Sequence, residues 1–304
     1  MAPPRLTDVL VRLQGRLGPP QGDPVALDGG MTGRTFRVRL GHGDYVVHLG
    51  GKDTRALGIS RAAECDATEA AARVGIGPEV VVYLREQDAL VTRFLEGRPL
   101  RAEEVAEPDV LGDLAESLKT LHRGPRLPQR SSPFRRIEEY RATALEHGAT
   151  VDGRYEAAAA LLGGIEAAMT GTDHAPVPCH GDLAPDNLVY DGRHVRIVDW
   201  EYAGMGDRFF DLGNLSVNAG FDEGDDEWLL TSYFNEPPTA RRFASLRLMR
   251  LVASVRDAMW GTVQQSISRV EYDYAGYARV HWERFEAAAS DSQVGPWLEQ
   301  AAQG

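Results

Sequence analysis

The chain has 304 residues, enough for one large domain or two modest ones. Apolar residues make up 43% and charged residues 26%, ordinary for a soluble globular protein, and a formal net charge of −12 argues against nucleic acid, whose phosphates demand basic patches. With no run of about 18 consecutive apolar residues, no leader-like N-terminus, and two cysteines (Cys65, Cys179) that form neither a disulfide framework nor a zinc pattern, neither a membrane span nor a secretory signal is expected and a reducing cytoplasm fits.

Leu6 to Leu17 carries apolar residues at helical spacing and stops at Gly18-Pro19-Pro20. Val25 to Asp28 reads as a short strand. A glycine-rich turn follows, Gly29 to Arg34, then strand residues Thr35 to Leu40, a hairpin turn at Gly41 to Asp44, and a strand from Tyr45 to Leu49. Glycines in such a turn let backbone N–H groups approach a phosphate closely, with Gly30, Thr32 and Gly33 placed to do so. An ordinary hairpin would use the same residues. No Gly-x4-Gly-Lys-Ser/Thr sequence is present, so a P-loop fold is not indicated. A helix is expected from about Thr54 to Val74, ended by Gly75 to Pro78. Val80 to Tyr83 and Ala89 to Phe94 form a hairpin. From about Glu103 the text is mostly helical, over 108–122, 134–147 and 154–169, with Pro and Ser marking the loops.

The stretch Cys179 to Asp211, CHGDLAPDNLVYDGRHVRIVDWEYAGMGDRFFD, organises the chain. It holds His180-Gly181-Asp182, an amide at Asn187 five residues past that Asp, and a short apolar run, Val195 to Val198, that leads into Asp199-Trp200-Glu201. Phosphoryl transfer from Mg-ATP needs this set: a carboxylate that takes the proton of the attacking hydroxyl, then an Asn and a second Asp that hold Mg²⁺. Asp182 is the expected base, Asn187 and Asp199 the expected metal ligands, and Glu201 could reach a metal-bound water or the substrate. Turn-forming Asp and Asn in a loop between strands is the plainer alternative, and the complete set in order beside a strand outweighs it. Beyond it, Asp211 starts a helix. The acidic run Asp222 to Glu227 has the character of a helix N-terminus rather than of an EF-hand loop. Pro237-Pro238 separates 228–234 from a long helix at about Thr239 to Trp260, and a last helix covers about Tyr272 to Ala289.

The motif segment resembles that of the aminoglycoside phosphotransferase superfamily, and its continuation, DWEYAGMGDRFFDLGNLSVNAGF, is most similar to the choline/ethanolamine kinase branch. The resemblance implies an α+β, two-lobed protein-kinase-like fold, with a small antiparallel-sheet nucleotide-binding lobe over 1–96 and a larger helical lobe over 97–304. It implies ATP and Mg²⁺ as cofactors. Arg93, Phe94 and Leu95 resemble the hinge whose backbone holds adenine, and Asp211 the buttress of the catalytic loop. Relatives carry Arg or Lys at His48 and Asn at Gly33. The missing strand cation leaves three readings: Lys52 reaches the phosphates instead, His48 does so when protonated and held by the phosphates or by Glu64, or catalysis is weak. Glu64 lies where the superfamily helix places the partner of that cation. The stretch AMWGTVQQSISRVEYDYAGYA resembles the segment that, with Tyr202, supplies an aromatic box for a quaternary ammonium by cation–π attraction, here Trp260 and Tyr277. Asp257, one turn before Trp260, stands where an aromatic is usual, and would suit an ammonium that has N–H donors. Ordinary core packing is the competing reading for these rings. The expected function is ATP-dependent phosphorylation of a hydroxyl on a small amine-bearing metabolite. An aminoglycoside- or macrolide-type antibiotic phosphotransferase and a weakly catalytic nucleotide-binding module are the alternatives.

Overall fold

A computed structural model describes residues 5–27, 34–51, 54, 56–268 and 270–303. The first layer is one antiparallel sheet of β1 (Val25–Ala26), β2 (Arg34–Leu40), β3 (Gly43–Leu49), β4 (Val80–Leu84) and β5 (Ala89–Arg93), in the order β1-β2-β3-β5-β4. Strand alternation sorts its faces. Tyr45, Val47 and Leu49 of β3, with Val38 and Leu40 of β2, turn to one side. There they form a core with Val9 and Leu13, four residues apart on α1 (Leu6–Leu17). Val46 and His48 therefore face the other side, toward the rest of the molecule.

α2 (Arg61–Arg73) crosses between β3 and β4 and packs against β4 and β5. It starts later than the sequence suggests. Gly58 sits at φ +70°, which breaks a helical run, and the Ser60 side chain then caps the helix by accepting from the Ala63 amide.

The second layer is mainly helical: α3 (Ala102–Val105), α4 (Pro108–His122), α5 (Pro133–Glu146), α6 (Tyr155–Ala168), α7 (Arg208–Ala219), α8 (Glu223–Phe234), α9 (Ala240–Ile267), α10 (Tyr274–Ala289) and α11 (Val294–Ala302). Two small sheets frame the motif stretch. β6 (Arg98–Pro99), β8 (Leu188–Tyr190) and β9 (Val195–Ile197) form one, and β7 (Val177–Cys179) pairs with β10 (Gly204–Gly206). α7, α8, α10 and α11 pack around α9. α9 runs two turns past the expected end, because Val263, Gln264 and Ile267 are buried too and no polar stripe marks a boundary. The acidic run does open α8, where Asp222 and Asp225 form a capping box. The arrangement is the two-lobed α+β architecture expected, and no helix among the described residues is long and apolar enough to cross a membrane.

α7 and α9 approach at Gly213, where an added Cβ would lie 2.9 Å from Arg250 N and from Met249 C and Cβ. Gly213→Ala should therefore destabilise the fold by about 1–3 kcal/mol from overpacking, against the gain of about 1 kcal/mol expected for such a change in an open helix. Urea unfolding reads the sign, and a stabilised variant would refute the close approach.

Candidate active site

The loop after β7 is held from behind. Asp211, in the first turn of α7, accepts the amides of His180 and Gly181, both at 2.8 Å, and His122 Nε2 lies 3.0 Å away. Burial, the largest influence, pushes this carboxyl up, but its donors outweigh that and its pKa is lowered. His180 donates from Nε2 to Val198 O (2.9 Å) and accepts the Asp182 amide at Nδ1 (3.2 Å), which defines its neutral tautomer. Burial lowers its pKa accordingly. This ring joins the loop to the end of β9, and Asp182 lies near enough to act electrostatically on Asp199.

Asn187 closes a 3₁₀ turn, Pro185–Asn187, and donates from Nδ2 to Asp182 O at 2.9 Å. Its Oδ1 is left as a free acceptor. Its carbonyl accepts the Val198 amide at 3.0 Å. The next residue, Asp199, holds φ +65°, a strained conformation for a non-glycine. Asp199 Oδ1 is buried with no hydrogen-bond partner among the described residues, and burial first, then Glu201, push its pKa up to about 8. A buried carboxylate of this kind, beside a free amide oxygen, offers the hard oxygen donors that Mg²⁺ prefers. The residues present fit such an ion.

A cavity of about 400 Å³ opens between sheet and helical layer, lined by Val46, Leu90, Phe94, Leu95 and Val198 among others. The amides of Arg93 and Phe94 are spent on Glu79 O (2.8 Å) and Asp44 O (3.0 Å), whereas Leu95 N–H makes no backbone bond to a described residue. The Arg93 side chain turns to the Tyr45 hydroxyl (3.2 Å). At the inner end, His48, Glu64 and Asp199 bring one ligand atom each to within 4.8 Å of the others. His48 Nδ1 lies 3.1 Å from Glu64 Oε1. Arg61, at the start of α2, bonds Glu64 Oε2 through Nη1, and the same nitrogen is 3.1 Å from His48 Nδ1 and 3.6 Å from Glu201 Oε2. Glu201, expected beside the substrate or a metal-bound water, thus lies beside Arg61. Burial raises Glu64, but His48 and Arg61 more than offset it and its pKa is lowered. Gly30, Thr32, Gly33 and Lys52 lie outside the described residues.

On the opposite side of Asp182, three of the expected rings meet. Trp260 Nε1 donates to the Tyr202 hydroxyl at 3.2 Å, and the Trp260 and Tyr277 rings pack edge to face at 5.3 Å. Sequence reasoning missed Arg256. Its side chain is 5% exposed, yet Nη1 reaches Asp182 Oδ1 at 2.8 Å, and Nε lies 3.0 Å from Asp257 Oδ1. Its guanidinium stands 5.9 Å from the Tyr202 ring centroid and 5.8 Å from that of Phe210. Asp257 is therefore already engaged by the chain's own cation. Burial, the largest influence, still pushes it up to about 6. The available signal was a lone arginine inside the apolar run LVASVRDAMW. Arg61 had a similar mark, three residues before Glu64 on one helix face.

A family model described as "Phosphotransferase enzyme family" matches residues 24–242. Protein LicA of Haemophilus influenzae is 24% identical over 264 residues, covering 83% of this chain and 76% of the relative. Ethanolamine kinase 2 of Rattus norvegicus is 24% identical over 239 residues, which is 69% of this chain and 61% of that relative, less than two thirds of its length. The crystal structure of a choline/ethanolamine kinase family protein from Mesorhizobium loti superposes with a TM-score of 0.83 at 25% identity, over 98% of this chain and 99% of that one. The shared fold is the two-lobed, protein-kinase-like arrangement.

Two outcomes follow from the site's charges. A pKa raised to about 8 means that folded Asp199 holds a proton the unfolded chain lacks between about pH 4 and 8, so its contribution to stability falls as pH rises through that window. Divalent-ion binding near pH 7 should then release close to one proton, with affinity rising up to about pH 8. Calorimetry in buffers of different ionisation enthalpy measures this, and an ion that binds without proton release is not bound by Asp199. Arg256→Met should cost about 3 kcal/mol in urea unfolding, because it strands a buried Asp257, and Asp257→Asn in that background should recover part of the loss.

Proposed function

The chain belongs to the phosphotransferase enzyme family, and on that footing we propose that it moves the terminal phosphoryl group of ATP to the hydroxyl of a small amine-bearing metabolite, an amino alcohol of the choline or ethanolamine kind. The enzyme is a phosphotransferase with an alcohol group as acceptor. The reading is carried by one observation: Asn187 and Asp199 line one cavity, with the Asn187 amide nitrogen fixed on Asp182 O and a buried Asp199 oxygen that has no partner among the described residues.

Residues 1–96 form the nucleotide-binding lobe and 97–304 the lobe that holds the acceptor. Adenine lies in the cavity against Val46, Leu90 and Val198, with the Leu95 amide as its backbone donor. Asn187 Oδ1 and Asp199 would hold Mg²⁺, which would supply positive charge to neutralise the phosphates. Arg256 occupies Asp182 Oδ1 and so orients the carboxylate with Oδ2 available. The acceptor hydroxyl gives its proton to Asp182 as its oxygen bonds to the terminal phosphorus, and the bond from that phosphorus to the bridging oxygen breaks to leave ADP. Trp260, Tyr277 and Tyr202 form the apolar wall beside the acceptor, with Asp257 behind it. Two free, buried thiols, Cys65 and Cys179, suit a reducing cytoplasm.

ATP consumption with Mg²⁺, measured against choline, ethanolamine, other amino alcohols, aminoglycosides and macrolides, should show turnover on the amino alcohols. Turnover confined to the antibiotics would replace that acceptor class. ATP binding with no turnover would support a binding module. Asp182→Ala should lower turnover by at least about a hundredfold while leaving ATP affinity unchanged, and near-wild-type turnover would remove Asp182 as the base.

A further inference from the structure

We infer that the positive charge serving the nucleotide's phosphates in this protein is carried by Arg61 on helix α2 and acts through His48, so that the cation has moved from strand to helix. The inference rests on the ATP reading above and extends it to residues which that reading leaves without a role.

Kinases of this architecture use a strand cation paired with a helix carboxylate. Here the strand residue is His48, and Glu64 is already neutralised by Arg61 from within its own helix. Arg61 Nη1 carries two hydrogens. One goes to Glu64 Oε2, and the other has His48 Nδ1 within reach at 3.1 Å. A ring nitrogen that accepts there is unprotonated, so the proton of the neutral imidazole sits on Nε2. The alternation of β3 turns His48 into the cavity, and Nε2 bonds no described residue. A phosphate oxygen can accept from that Nε2–H. In the opposite tautomer Nδ1–H would donate to Glu64 Oε1, and a neutral Nε2 would present a lone pair that repels an anion. Between the two neutral tautomers, phosphate therefore selects the one in which Arg61 holds the ring, just as a partner on one imidazole nitrogen sets the role of the other in metal sites.

Two further features support a functional charge. Arg61 is 2% exposed, and its Nε and Nη2 have no hydrogen-bond partner. Glu64 and Glu201 act on it electrostatically, so it is held among acids of two elements rather than in one simple pair. A buried cation arranged this way is a poor route to stability. It does place positive charge behind the imidazole that faces the cavity.

The test is the binding of adenosine and ADP to the full-length protein, by calorimetry in EDTA, which separates phosphate recognition from metal and from turnover. Arg61→Met and His48→Leu should each leave adenosine affinity near wild type and reduce the gain from adenosine to ADP by about tenfold or more. His48→Lys in the Arg61→Met background, which returns a cation to the strand, should restore most of that gain. If Arg61→Met does not melt cooperatively, His48→Leu carries the test, since it leaves the Arg61–Glu64 pair in place. An unchanged ADP gain in His48→Leu, or no recovery in the double variant, overturns the inference and leaves the ATP reading standing. A wild-type protein that binds neither compound overturns both.

Discussion

One buried carboxylate, Asp211, ties the motif stretch together. It takes both loop amides at 2.8 Å and His122 at 3.0 Å, and His122 Nδ1 reaches the Tyr233 hydroxyl at 2.7 Å. From there His180 passes the connection to Val198 O, the residue before Asp199. α4, α7, α8, the loop after β7 and the end of β9 are thus joined through a single line of polar groups. Each of these groups is buried, and leaving one unpaired would cost about 1–3 kcal/mol. The separation of Asp182 from Asp199 is set by that line rather than by the loop itself, which explains how a stretch with little regular structure can hold reacting groups in place.

Around this frame a buried arginine meets acidic groups twice, once on each side. Beside the sheet Arg61 meets Glu64 and Glu201. Beside the gathered rings Arg256 meets Asp182 and Asp257. Each arginine pairs with an acid of its own helix and reaches across to a group on another element. Buried pairs of this sort add little to stability on their own. They keep a fixed, water-poor arrangement of charge, which is what transfer of a highly charged group needs. Arg256 also changes the character of the acceptor side. Tyr202 and Phe210 already stand near a guanidinium of the chain itself, so the rings do not form a cage open only to an external cation.

Much of the fold was legible because its signals are local. The alternation in β2 and β3 marked which side chains face α1, and the acidic run at Asp222 marked a capped helix. Boundaries failed where the signal was not local. The start of α2 depends on a glycine at φ +70° and a serine cap, and the end of α9 is hidden by burial on all sides. α11 was not anticipated, and strands of two or three residues such as β6 and β10 are too short to show a period. In the site, Glu64 does meet His48 as expected, and the rings of Trp260, Tyr277 and Tyr202 do gather, but the arginine beside each group went unread.

By itself the sequence determined the candidate donor set and the class of chemistry it suggests: an Asp, an Asn five residues on, and an Asp after an apolar run, all inside one stretch. It also determined the family resemblance. Only the tertiary structure decided which charges attend those donors, because Arg256 comes 74 residues after Asp182, and Arg61 lies 13 residues from His48 across a strand–helix connection. Spacing along the chain encodes what a loop and a strand can present. Electrostatic coupling depends on distance through space and on burial, and neither exists until the helices have packed.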